Sequence, residues 1–115
     1  MQVKDLYAFL KQTQEKQGYY FNPDQEMVEQ LLESLLTNKK RYGYMACPCR
    51  LASGNYELDK DILCPCVYRE ADVREYGSCF CGLYVSKEVV EGKKQLEVVP
   101  ERRPASKVLA ALNKN

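Results

Sequence analysis

Histidine is absent from the 115-residue sequence, and its absence excludes several kinds of active site. Catalytic triads, cysteine–histidine dyads and zinc sites with imidazole ligands all require at least one histidine. An excess of charge of either sign is also lacking, because 17 basic and 16 acidic residues leave a net charge of +1. The overall charge therefore predicts no nucleic-acid partner and no membrane partner.

Long apolar segments are missing as well. No run of residues approaches the length of a transmembrane helix, and the charged N-terminal residues lack the apolar core of a secretory signal. We therefore expect a cytoplasmic protein whose thiols stay reduced. The length and the 45% share of hydrophobic residues are typical of one folded domain, residues 1–115.

Three segments of different character follow one another along the chain. They are N-terminal helices over 1–45, a cysteine-containing segment over 46–85 and a C-terminal segment over 86–115. In the first segment, apolar residues recur at helical spacing from Val3 to about Gln17. This pattern predicts an amphipathic helix that Gly18 ends.

A second helix is predicted to begin after Asn22, which serves as its N-cap, with Pro23 at the first helical position. It continues to about Lys40 and ends at Gly43. The basic residues at 39–41 then lie where cations complement the helix dipole. We interpret them either as a solvated helix end or as a patch that docks a partner.

Shorter helices are predicted in the rest of the chain, and the fold class is therefore mainly α. Their ranges are 70–76, ending at Gly77, then 86–91 and 106–113. Asp59 is predicted to cap one further helical turn. In the last helix, Val108, Leu109 and Leu112 are the residues expected to pack against the domain.

Every cysteine of the chain belongs to a Cys-X-Cys pair. The pairs are Cys47-Pro48-Cys49, Cys64-Pro65-Cys66 and Cys79-Phe80-Cys81. Three such pairs indicate ligation of a soft metal, and a central proline fixes the turn that carries the two thiols. Six thiols exceed by two the four that a [4Fe–4S] cluster or a tetrahedral zinc site requires.

The two additional thiols decide the function. If one pair supplies two ligands and the other pairs one each, the remaining thiols lie beside the metal group, where they can form a disulfide if their backbones approach closely. A cluster next to a dithiol can convert single electrons into disulfide reduction. The spacing does not identify which pair supplies both ligands.

Two other interpretations stay open on the residues alone. One is a structural or regulatory zinc module with no enzymatic role. Another is a simple iron–sulfur electron carrier in which two cysteines only pack as small hydrophobic residues. A secreted framework of disulfide bridges is disfavoured because no signal peptide is visible.

The order CPCR, CPC and CxCGLY resembles the catalytic (β) subunit of ferredoxin:thioredoxin reductase, including its archaeal and bacterial relatives. The residues around the first and last pairs, 42–44 and 77–84, carry much of this similarity. The resemblance implies a small, mainly α domain with short helices around one [4Fe–4S] cluster. It also implies that ferredoxin or a similar one-electron donor and a thioredoxin-like substrate are partners, with a small second subunit possible.

Roles for all six cysteines follow from the same resemblance. It implies that the cluster is held by Cys47, Cys64, Cys66 and Cys79. Cys49 and Cys81 are then the redox-active disulfide. Cys49 is expected to be the exposed thiol that attacks the partner's disulfide, and Cys81 is expected to lie against the cluster.

Two features depart from the family pattern. The last pair commonly contains a central histidine, where this chain has Phe80, so the proton for the dithiol must come from elsewhere. Twelve residues separate Cys66 from Cys79, a longer link than in the plant-type subunit. We therefore expect a different surface beside the dithiol.

Arg50 follows Cys49 directly and has two interpretations. Its cation can lower the pKa of the Cys49 thiol, or it can point outward in a salt bridge. Aromatic rings are expected to form the walls of the cluster site with their hydroxyls reaching solvent, and these are Tyr42, Tyr44, Tyr68, Tyr76 and Tyr84.

Overall fold

The computed structural model describes residues 1–114, with side chains as far as Asn113. In this part of the chain the helices are α1 (Val3–Glu15), α2 (Gln25–Tyr42), α3 (Tyr56–Asp59), α4 (Arg69–Tyr76), α5 (Lys87–Val90) and α6 (Ala105–Lys114). A 3-10 turn spans Lys60–Ile62, and β1 (Tyr20–Phe21) pairs antiparallel with β2 (Tyr84–Val85). About half of the chain is helical, which confirms the mainly α prediction. The predicted domain 1–115 and segment 86–115 extend one residue beyond the described part.

The main core joins the N-terminal helices to the segment of the third cysteine pair. Helices α1 and α2 pack against each other. Their buried residues are Leu6, Leu10, Val28, Leu32 and Leu35, and they share one cluster with Leu83 and Tyr84. A second cluster, around Ala46, Cys47 and Ile62, lies beneath the first cysteine pair. Both cores therefore contact the cysteine segment directly.

Several predicted helix ends are confirmed. Gly43 ends α2 with a φ of 87°, and Gly77 ends α4 with a φ of 81°. Glycine adopts this left-handed conformation at little cost, which is why it is favoured after the last helical residue. Ser86 caps α5, since its hydroxyl accepts a hydrogen bond from the N–H of Val89. The short helix predicted over 86–91 is therefore present.

The predicted cap of α2 is wrong. Asp24, and not Asn22, caps this helix by accepting a hydrogen bond of 3.1 Å from the N–H of Met27. Asn22 lies two residues earlier, where its side chain accepts from the N–H of Asp24 at 2.9 Å and donates to the carbonyl of Gly82 at 3.0 Å. Pro23 lies before the cap and outside the helix. Asn22 therefore forms a turn and a long-range contact instead of capping α2.

The cap predicted at Asp59 is confirmed in position only. Asp59 is the N-cap residue of the 3-10 turn Lys60–Ile62, but its side chain makes no capping hydrogen bond. Asn55 caps α3, and its side chain accepts from the N–H groups of Glu57 and Leu58. Asp59 ends that helix with its carboxylate fully buried. The carboxylate accepts hydrogen bonds from the N–H of Ser53 and the hydroxyl of Tyr44. The Asp59 carboxylate therefore stabilises the loop that follows the first cysteine pair.

The packing face predicted for the last helix is wrong in part. Leu109 and Leu112 are exposed, Val108 is half-buried, and Ala111 is fully buried. Helix α6 packs against α3. A small residue on the inward face lets the two helices approach closely, and this leaves the two leucines on the outer side.

None of the helices within residues 1–114 is long and apolar enough to cross a membrane.

Arg103 fastens residues 100–104, the connector before α6, to the rest of the domain. Its Nε donates to the carboxylate of Asp61 at 2.8 Å, with side-chain exposures of 1% and 8%. The guanidinium also donates to the carbonyls of Leu51 and Leu58 at 3.3 and 3.0 Å. The connector is therefore held by a buried ion pair and not by apolar packing alone.

We expect Arg103→Ala to lower the free energy of unfolding by about 3–5 kcal/mol, because it leaves the buried Asp61 carboxylate without its cation. Urea unfolding followed by circular dichroism measures this change. Lys60→Ala removes an exposed ion pair with Glu57 and should leave the free energy of unfolding close to the wild-type value. Equal small losses in the two variants would contradict this role of Arg103.

Candidate active site

Antiparallel backbone hydrogen bonds bring the first two cysteine pairs side by side. The N–H of Cys47 donates to the carbonyl of Ile62 at 2.7 Å, and the N–H of Cys64 donates to the carbonyl of Met45 at 2.8 Å. Ala46 and Leu63 form an isolated bridge between these bonds. Residues distant in sequence are thereby placed with their thiols on one side of the domain.

The third pair lies on a tight turn before β2. The N–H of Cys79 donates to the carbonyl of Tyr84 at 2.9 Å, and the N–H of Gly82 donates to the carbonyl of Cys79 at 3.0 Å. Strand β2 pairs with β1, and Asn22 bonds to Gly82. The N-terminal helices therefore hold this turn in place.

Five of the six cysteines line one narrow pocket. They are Cys47, Cys64, Cys66, Cys79 and Cys81. Cys49 does not line it and is exposed at the surface. Arg50, Arg69, Phe80 and Tyr84 complete much of the pocket wall. The twelve-residue link between the second and third pairs is largely taken up by α4.

Cys49 and Cys81 interact although only one of them faces the pocket. Hydrogen bonding with Cys81 is the largest cause of the lowered pKa of the Cys49 thiol. Hydrogen bonds with Cys47, Cys49 and Cys79, together with burial, raise the pKa of Cys81. The Sγ atoms of Cys79 and Cys81 are 3.7 Å apart. Cys81 is thus a half-buried thiol that contacts Cys79, and its pKa is raised by hydrogen bonding with Cys47, Cys49 and Cys79.

The pocket thiols differ in acidity. Burial raises the pKa of Cys66 and, more strongly, that of Cys64. Hydrogen bonding from Cys81 lowers the pKa of Cys79 to about 6, and the N–H of Tyr84 also donates to Cys79 Sγ at 3.3 Å. A bound metal deprotonates coordinating thiols outright, so the raised pKa values of Cys64 and Cys66 do not prevent these thiols from serving as metal ligands.

Arg69 is a buried cation on the pocket wall. Its Nη1 donates to Gln14 Oε1 at 2.6 Å, and its guanidinium lies over the rings of Tyr19 and Tyr84 at 3.7 and 4.9 Å. Among residues 1–113, no carboxylate forms an ion pair with it. A buried charge without a counter-charge is costly, so this arginine favours an anion inside the pocket.

The hydroxyl of Tyr84 gives a second, independent indication. Tyr84 is 1% exposed and lines the pocket, and its hydroxyl has no hydrogen-bond partner among the described residues. A buried unpaired hydroxyl costs free energy unless an acceptor is supplied. Tyr84 and Arg69 thus both offer hydrogen-bond donors toward the same interior.

The donor set fits a thiolate-bound metal group of net negative charge. Thiolates are the ligands of iron–sulfur clusters and of many zinc sites, and two guanidinium groups line the same pocket. Within the described residues, no three cysteine or carboxylate side chains converge on one point as ligands of a single metal ion. Five of the thiols line a common narrow pocket.

Comparison with known proteins identifies the family. The family described as "ferredoxin thioredoxin reductase catalytic beta chain" matches residues 1–103. A ferredoxin-thioredoxin reductase catalytic chain from Cyanidium caldarium is 32% identical over an alignment of 89 residues, which covers 72% of this chain and 73% of the relative. The chain belongs to this family. Members of the ferredoxin thioredoxin reductase family are oxidoreductases that act on disulfides, so the predicted enzyme class is confirmed.

Arg50 matches neither prediction made for it in full. It does form a salt bridge, with Glu101, but its side chain is 1% exposed and points inward. Its charge also lowers the pKa of Cys49, although the hydrogen bond with Cys81 has the larger effect. The basic residues at 39–41 are exposed, as a solvated helix end requires.

The tyrosine prediction holds only in part. Tyr84 lines the pocket, but its hydroxyl is buried and does not reach solvent. Tyr42, Tyr44 and Tyr68 pack against the core cluster around Cys47. Tyr76 lines a different surface groove, next to Arg102. The sequence analysis missed Arg69, since nothing local distinguishes this arginine from an exposed one at a helix start.

Proposed function

We propose that this chain is the catalytic chain of an iron–sulfur disulfide reductase that takes single electrons from ferredoxin or a similar carrier and reduces thioredoxin-like proteins. The observation that carries the proposal is that Cys81 lines the same pocket as four other cysteines, 3.7 Å from Cys79, while Cys49, two residues after Cys47, is exposed at the surface. A surface thiol can reach a partner's disulfide, whereas a pocket thiol can exchange electrons with a buried centre. Cys49 and Cys81 together therefore link the partner's disulfide to the buried centre.

In this proposal a [4Fe–4S] cluster is held by Cys47, Cys64, Cys66 and Cys79. Bound there, the cluster supplies electrons one at a time. Support comes from the common pocket of these thiols and from its buried hydrogen-bond donors, Arg69 and Tyr84. A reducing compartment such as the cytoplasm, and a small second subunit beside this catalytic chain, belong to the same proposal.

The disulfide exchange follows from the accessibility of the two thiols. The thiolate of Cys49 attacks one sulfur of the partner's disulfide and forms a mixed disulfide, while the other partner sulfur leaves as a thiolate. The thiolate of Cys81 then attacks the sulfur of Cys49, which releases the second partner thiolate and forms the Cys49–Cys81 disulfide. Two electrons and two protons return this disulfide to the dithiol.

The protons have a simple source in this geometry. Phe80 carries no ionisable group and the chain lacks histidine. Cys49 is exposed, so solvent reaches the sulfur that needs a proton. We therefore propose protonation from bulk water and not from a side chain between the two last cysteines.

Metal and sulfide analysis of anaerobically purified protein tests the proposal. We expect about four iron and four sulfide per chain, as one [4Fe–4S] cluster requires. In the oxidised protein, two thiols should become alkylatable only after reduction, and mass spectrometry should place them at Cys49 and Cys81. One zinc per chain without sulfide would refute the electron-transfer function.

A further inference from the structure

Arg50 uses its guanidinium to join the pocket to the connector 100–104. Its Nε donates to both carboxylate oxygens of Glu101, at 3.1 and 3.2 Å, and its Nη2 donates to one of them at 3.0 Å. Its Nη1 donates to Cys66 Sγ at 3.3 Å. One planar group thus bridges the connector and a thiol of the pocket.

Aromatic rings fix the plane of this guanidinium. Its central carbon lies 4.5 Å from the ring centre of Phe80 and 5.0 Å from that of Tyr68. The Arg50 side chain is 1% exposed, whereas the Glu101 side chain is 36% exposed. The Glu101 carboxylate therefore lies on the solvent side of the Arg50 guanidinium, and the Cys66 sulfur lies on its pocket side.

Glu101 is held by residues that lie outside the pocket. Its carboxylate accepts a hydrogen bond of 2.8 Å from the N–H of Arg103, whose side chain pairs with buried Asp61. Asp61 also accepts a hydrogen bond from the hydroxyl of Tyr68, the ring beside Arg50. These contacts place the Glu101 carboxylate independently of what the pocket binds.

We propose that Glu101 is a positioning residue that holds Arg50 as a hydrogen-bond donor to Cys66, and that this bond raises the reduction potential of the centre bound there. The inference rests on the proposed function, because it takes Cys66 as a ligand of that centre. A charge-assisted hydrogen bond withdraws charge from the ligand sulfur, and hydrogen bonds to sulfur are among the features that set the potentials of iron–sulfur centres. Reduction adds negative charge, so the donor stabilises the reduced form.

A pair of substitutions separates this positioning role from a simple effect of charge. Arg50→Lys keeps the positive charge but removes the planar guanidinium group that donates hydrogen bonds to both Glu101 and Cys66. Glu101→Gln removes a negative charge near the centre. If charge alone mattered, the first variant would leave the potential unchanged and the second would raise it, because a nearby anion disfavours reduction.

We expect both variants to lower the midpoint potential, measured by anaerobic spectroelectrochemical titration of the purified protein. A tenfold weaker preference for the reduced form corresponds to about 59 mV for a one-electron couple. Glu57→Gln and Arg102→Lys are the matched controls. They make the same changes on residues that pair away from the cysteines, with Lys60 and with Asp72, and their potentials should stay at the wild-type value.

A raised or unchanged potential in Glu101→Gln would overturn the inference. Glu101 is partly exposed and outside the core, so this variant decides the question even if Arg50→Lys does not fold. Failure of the proposed function gives a different result, because wild-type protein would then contain no iron and sulfide. Wild-type iron content with an unaltered potential in Glu101→Gln would leave the proposed function intact and refute only the positioning role.

Discussion

Cys49→Ser is expected to keep its iron and sulfide and to lose disulfide reductase activity by about three orders of magnitude or more, the scale seen when a catalytic nucleophile is removed. The serine hydroxyl stays protonated at neutral pH and cannot replace a thiolate in disulfide exchange. Cys49 is exposed and does not line the pocket, so its replacement leaves the pocket thiols in place. The variant should therefore lose its activity while its metal content stays at the wild-type value.

The measurement is reduction of a thioredoxin disulfide under anaerobic conditions, with photoreduced ferredoxin as the donor and iron determined on the same samples. Leu51→Ala is a suitable control, because its exposed side chain lies on the same loop and takes no part in the exchange. It should retain wild-type turnover. Wild-type turnover in Cys49→Ser would contradict the proposed exchange, and loss of iron in that variant would assign Cys49 to the metal site instead.

Local signals explain why much of the helical framework is predictable. Gly43 and Gly77 end helices because each adopts a left-handed conformation that other residues avoid. The cap of α2 lies two residues after the predicted position because Asn22, Pro23 and Asp24 all carry cap or turn signals, and Asn22 instead bonds to Gly82, far away in sequence. Short-range patterns locate helix starts only approximately.

The cysteine centre is predictable for a different reason. Pairs of thiols indicate their chemistry by residue type and spacing, and the structure brings five of the six into one pocket with the sixth exposed beside it, two residues after Cys47. Their environment is set by distant residues. Glu101 meets Arg50 across 51 positions, and Gln14 meets Arg69 across 55. No local pattern in the sequence identifies such contacts, so the charges around the pocket became visible only in the fold.

Cys64→Ser is expected to reduce the iron content of the purified protein to well below half of the wild-type value. Cys64 is one of the four proposed ligands, and an alcohol is a poor ligand for iron–sulfur clusters compared with a thiolate. The backbone at this position should persist, because the N–H of Cys64 still bonds to Met45 and serine is nearly isosteric. Loss of iron would then report loss of a ligand and not loss of the fold, which circular dichroism checks.

Cys81→Ser provides the matched comparison, since Cys81 also lines the pocket and the chemical change is the same. It should retain its iron and lose disulfide reduction, because Cys81 is assigned to the exchange and not to the metal. The iron contents of the two variants therefore distinguish ligands from exchanging thiols within a single pocket. Full iron in Cys64→Ser would refute its assignment as a ligand, and loss of iron in Cys81→Ser would require a different division of the six cysteines.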